Sequence, residues 1–110
     1  MPLPALLLLL GAITSEVIGT TALKYSDGFS KLVPSLIVIV GYGLAFYLLA
    51  LSLKQIPLGN AYAIWSGVGT AATAAIGVWL WQESLSPLRI VGIVLIIVGV
   101  VVLNLAQEAL

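Results

Sequence analysis

The 110-residue chain has no cysteine, no histidine and a single methionine. Without cysteine there are no disulfides and no thiol redox chemistry. Without either residue most transition-metal sites are excluded, as is histidine acting as a general base. No metal and no cofactor is therefore expected. Charge is scarce too: Asp, Glu, Lys and Arg make up 7% of the sequence, where a soluble domain carries about 25%. Four basic residues balance four acidic ones, which leaves no basic patch for nucleic acid and no acidic tail for a basic partner. The sequence has no metal-ligand cluster, phosphate-binding loop or nucleophile–base pair, so nothing supports an enzyme.

What remains is hydrocarbon. Hydrophobic residues make up 62% of the chain, and the mean hydropathy is +1.24. They fall into four runs, at residues 3–23, 32–53, 58–81 and 89–106. Each run is long enough to cross a core of roughly 30 Å at about 1.5 Å per helical residue. The expectation is an all-α integral membrane protein, a single four-helix domain over residues 1–110. The first run lacks a basic leader and contains an acid, so it is not expected to be a cleaved signal peptide. Four spans place both termini on one side with Lys54, and Lys24, Lys31 and Arg89 on the other. That bias is small under the positive-inside rule, and these charges permit insertion in either orientation.

Glu16 is the only charged residue well inside a run. A carboxylate in hydrocarbon costs at least about 2.5 kcal/mol on insertion scales, so such a group points to function. Its neighbours on one helical face are Ala12, Ile13, Gly19 and Thr20, mostly small, so a ligand or another helix can come close. An acid there can hold a proton or release it to bind a cation, and the two states exclude one another. The alternative is a permanently protonated structural contact, a task glutamine would perform without the hazard of ionisation.

Tyr42 and Phe46 lie four apart in the second run, Tyr62 and Trp65 three apart in the third, each pair on one face. Aromatic faces attract organic cations, and ordinary packing is the competing explanation. Trp79 and Trp81, at a run end, read as interfacial anchors. Gly67 and Gly69 either let the third helix bend or let it pack closely. Gly92 and Gly99, seven apart, align as a small-residue stripe of the kind that joins helices in membranes.

Three stretches together resemble the small multidrug resistance family: Glu16 through Lys24 with Tyr25-Ser-Asp-Gly-Phe29, Pro57 through Gly69, and Gly92 through Gly99 to Asn104. The resemblance covers essentially the whole chain, and the block from Pro57 to Gly69 is the most specific. It implies proton-coupled export of hydrophobic cations across the inner (plasma) membrane of a prokaryote by an antiparallel, dual-topology homodimer. The implied partners are a second copy of the chain, lipophilic cations, protons and the bilayer. Glu16 would be the shared proton and substrate site. Tyr42, Phe46, Tyr62, Trp65, Gly19 and Thr20 match positions that line it, and Ala12 and Ile13 join them on the Glu16 face. Gly67 and Gly69 match a flexible region, and Gly92 to Gly99 a dimer contact. Guanidinium exporters of the family typically have Trp in place of Gly19, Ser in place of Ala45 and Lys in place of Asn104. These departures favour the multidrug branch, which takes quaternary ammonium and aromatic cations. A guanidinium exporter, a subunit of a heteromeric transporter and a passive pore stand as the alternatives.

Overall fold

The computed structural model describes residues 2–109, and the side chains of residues 2–106. Among the described residues there are four helices, α1 (Leu3–Tyr25), α2 (Leu32–Ser52), α3 (Leu58–Trp81) and α4 (Pro87–Ala109). All four are long and apolar enough to cross a membrane. All five prolines of the chain punctuate helix starts: Pro2 and Pro57 cap α1 and α3, Pro87 opens α4, and Pro4 and Pro34 lie in the first turns of α1 and α2. The first-turn amides have no intrahelical acceptor, so a residue without an N–H loses nothing there. This is also why α4 begins two residues before the apolar run it contains.

The chain divides into two compact units, Met1–Ile56 and Pro57–Leu110. In the first, α1 extends to Tyr25 and stops at Ser26, which is fully buried. The Ser26 hydroxyl donates to the Leu23 carbonyl at 2.7 Å and accepts the Phe29 amide at 3.0 Å. Its carbonyl accepts the amides of Ser30 and Lys31 at 2.9 and 3.2 Å. Around this hub Asp27, Gly28 and Phe29 all take left-handed backbone, with φ of 49°, 70° and 66°. Glycine adopts that conformation freely, whereas a bulky residue such as Phe29 does so only when its surroundings hold it there. The buried positions of α2 are Val38, Gly41, Ala45 and Ser52, spaced by three, four and seven, which makes one stripe. The stripe meets α1 at Gly41, where a Cβ would lie 3.1 Å from both Gly19 Cα and the Ser15 carbonyl oxygen. The two backbones touch there, as small residues permit between membrane helices.

In the second unit, α3 packs on α4 at Gly67, whose Cβ position is 3.0 Å from a Val100 methyl. Asn60, buried near the start of α3, donates through Nδ2 to Asn104 Oδ1 at 3.4 Å. The Asn104 amide in turn donates to the Val100 carbonyl at 3.0 Å. At the far end Gln82 is left-handed (φ 54°) and the Glu83 amide reaches back to the Gly77 carbonyl at 3.1 Å. The Glu83 carboxyl lies against Gly77, where a side chain would stand, and pairs with Arg89 at 3.4 Å. Along its membrane-spanning stretch α4 has no buried residue. Beyond its contact with α3, the apolar surface of α4 is suited to lipid or to another protein.

Candidate functional site

Glu16 lies midway along α1 and is half-buried. One turn later, on the same face, Thr20 Oγ1 donates to Glu16 Oε1 at 2.7 Å. The Thr20 oxygen is also 2.8 Å from the Tyr42 hydroxyl of α2. A threonine hydroxyl has one proton. With that proton committed to Glu16, the Tyr42 hydroxyl must be the donor to Thr20. The result is a chain of hydrogen bonds that joins Tyr42 through Thr20 to the Glu16 carboxyl.

Gly19 gives Tyr42 its place. A Cβ at Gly19 would be 2.9 and 3.0 Å from the ring carbons Cδ1 and Cε1 of Tyr42, closer than real contacts allow. The ring occupies the space that any side chain at position 19 would need. Beneath it, buried Ser15 donates through Oγ to the Gly41 carbonyl at 2.7 Å. Ser15 immediately precedes Glu16, and Gly41 immediately precedes Tyr42. The interhelical bond and the hydroxyl chain are therefore neighbours in sequence on both helices. α2 itself carries no charged residue.

Of the residues named from sequence, the structure brings Glu16, Gly19, Thr20 and Tyr42 together. Ala12 and Ile13 share their helix and are 0% and 2% exposed. Phe46, one turn beyond Tyr42, is exposed. In the second unit Tyr62 is exposed and Trp65 half-buried. Gly67 and Gly69 lie in a helix that runs unbroken from Leu58 to Trp81, and the Gly69 carbonyl accepts the Thr73 hydroxyl at 2.8 Å. Gly92 and Gly99 are exposed, with nothing within 4 Å of a Cβ at either. Among the described residues no three potential metal ligands cluster. An apolar groove of about 380 Å³ runs between α1 and α2, lined by Ser15, Ile18, Val33, Leu36, Ile37, Val40 and Gly41. Glu16 is not among its lining residues.

Ser15 and Gly41 were not singled out from sequence. The signal available was adjacency: a small hydroxyl residue just before the intramembrane acid, and a glycine just before the tyrosine.

A family model described as Small Multidrug Resistance protein matches residues 5–96. The chain is 54% identical over 103 residues to the quaternary ammonium compound-resistance protein QacE of Escherichia coli, an alignment covering 94% of each chain. It is 55% identical over 93 residues to the multidrug resistance protein EbrA of Bacillus atrophaeus, covering 84% of this chain and 89% of that one. With the quaternary ammonium compound-resistance protein QacF of Klebsiella aerogenes it shares 51% identity over 98 residues, 88% of each.

Proposed function

The chain belongs to the small multidrug resistance family, and we propose that it exports hydrophobic quaternary ammonium and aromatic cations in exchange for protons, both competing for Glu16. The observation that carries this reading is the mid-span carboxylate at the end of the hydroxyl chain from Tyr42 and Thr20. A site built to receive an anion in hydrocarbon is a site for a cation once the proton has left. The names of the relatives support the substrate class. Gly19 supports the branch, because the Tyr42 ring already fills the space that a larger residue would need.

The working unit is an antiparallel homodimer, two copies inserted in opposite directions. In its favour are the exposed apolar surface of α4 with open Gly92 and Gly99, and charges that permit either orientation. Many transporters are built from inverted repeats about an axis in the membrane plane, and two antiparallel copies reproduce that symmetry. Substrate enters from the cytoplasm and displaces protons from the two Glu16 carboxyls, while Phe46, Tyr62 and Trp65 offer aromatic faces to its apolar body. Ala12 and Ile13 shape the wall beside the acid. The two copies then exchange roles, with Gly67 and Gly69 allowing α3 to flex, and outer protons release the cation. Each pH unit across the membrane supplies about 1.36 kcal/mol per proton, and voltage about 2.3 kcal/mol per net charge per 100 mV.

The test is proton release from purified protein on adding tetrapropylammonium, beside methylguanidinium and the Glu16→Gln variant. Release with the quaternary cation, abolished in Glu16→Gln, is expected. Release only with methylguanidinium would move the chain to the guanidinium branch. Binding without release would remove the exchange mechanism.

A further inference from the structure

We infer that Ser15 is a positioning residue for the proton site: its bond to the Gly41 carbonyl fixes the register of α2 on α1 that delivers the Tyr42 hydroxyl to Thr20 and so to Glu16. The inference rests on the reading of Glu16 as the proton and substrate site, and adds a residue that touches neither ligand.

A helical carbonyl has two lone pairs and uses one for the amide four residues on. The Ser15 hydroxyl takes the second lone pair of Gly41 at 2.7 Å, in a buried setting. This side-chain bond is made where the helices already touch, since a Cβ at Gly41 would meet Gly19 Cα and the Ser15 carbonyl oxygen at 3.1 Å. Apolar contact sets how close two helices come but leaves sliding and rotation cheap, whereas a short directional bond fixes both. One residue further along each helix are Tyr42 and Glu16. A slide or rotation of α2 on α1 would stretch or misalign the 2.8 Å contact between Tyr42 and Thr20. Ser15 thus acts on the carboxylate through three successive partners: the Gly41 backbone, the Tyr42 ring on Gly19, and the Thr20 hydroxyl.

The groups that could mimic the effect are few. Within this unit α1 carries Glu16, Lys24 and Tyr25 as its titratable residues, and α2 carries Tyr42 and Tyr47. Tyr47 is exposed, and Lys24 and Tyr25 stand at the far end of α1, so Tyr42 is the titratable group of α2 that reaches the Glu16 cluster.

The experiment compares wild type, Ser15→Ala, Tyr42→Phe and the double variant for the pH midpoint of proton release on binding tetrapropylammonium. Disordering the chain should displace that midpoint from its wild-type position. Ser15→Ala is expected to shift the midpoint in the same direction as Tyr42→Phe and to add nothing in the Tyr42→Phe background, because both act through one hydroxyl. An unchanged midpoint in Ser15→Ala, or an equal extra shift in the double variant, overturns the inference. A second readout is independent of proton exchange: the NMR signal of ring-carbon-labelled tyrosine, with Tyr42 assigned by Tyr42→Phe. Ser15→Ala should move the Tyr42 signal and leave Tyr47 and Tyr62 in place. If wild type releases no proton yet the Tyr42 signal alone moves, the exchange reading falls and the positioning role stands. If all the tyrosine signals move together, Ser15 is a general packing residue and the inference is wrong.

Discussion

At the scale of single residues the site is decided by what is missing from side chains as much as by what is present. Gly19 and Gly41 have no Cβ, and that is what lets a tyrosine ring and two backbones share one level of the helix pair. Gly41→Ala would place a methyl 3.1 Å from backbone atoms that cannot rotate away. We expect it to destabilise the helix pair by about 1–3 kcal/mol, seen as a lower thermal midpoint in detergent, with cation binding weakened in proportion to the loss of register. Thr20→Val keeps the shape but removes the hydroxyl that joins Tyr42 to Glu16. Its expected effect is a displaced proton-release midpoint with little change in thermal stability, since interhelical hydrogen bonds in membranes average only about 0.6 kcal/mol. An unshifted midpoint would mean that the carboxylate does not depend on the chain. The pairing of Glu16 with Thr20 was legible in the sequence, because four residues are about one helical turn. The pairing of Thr20 with Tyr42 was not, because no spacing rule reports how far one helix slides along another. For the same reason Ser15 and Gly41, decisive here, looked like filler.

At the scale of elements, the four apolar runs foretold four helices because in hydrocarbon a backbone has few ways other than a helix to satisfy its own polar groups. Their ends were less legible. Lys24 and Tyr25 continue α1 although they read as connector, since helix termination is settled by the Ser26 hub and not by polarity. The turn that follows uses left-handed backbone at three successive residues; Asp27-Gly28 is a turn-forming pair, whereas Phe29 carries no such signal. Phe29, with φ of 66° and an exposed ring, is the residue least suited to that conformation. Phe29→Gly should raise the stability of the first unit by about 1 kcal/mol, and Phe29→Val should lower it. Thermal denaturation of both variants checks the sign. The opposite order would show that the ring, and not the backbone, matters at this turn.

At the scale of the whole molecule, α4 stands out because its own chain buries none of its spanning residues. A homodimer that joins through this helix should be sensitive to bulk on its glycine stripe. Gly92→Val with Gly99→Val is expected to shift the monomer–dimer equilibrium in detergent at least tenfold toward monomer, a cost of about 1.4 kcal/mol, as read by cross-linking against concentration. An unmoved equilibrium would assign those glycines to lipid.

The glycines also sort by what encloses them. Gly19, Gly41 and Gly67 are closed in by atoms of their own chain, whereas Gly43, Gly59, Gly92 and Gly99 have no such neighbour. In cells made to depend on this protein for survival, every substitution at every glycine could be scored at once. Intolerance at the closed positions would be explained by the folded chain. Intolerance at an open one has no cause in the packing of its own unit, and would be the imprint of a further contact left in the pattern of survivors.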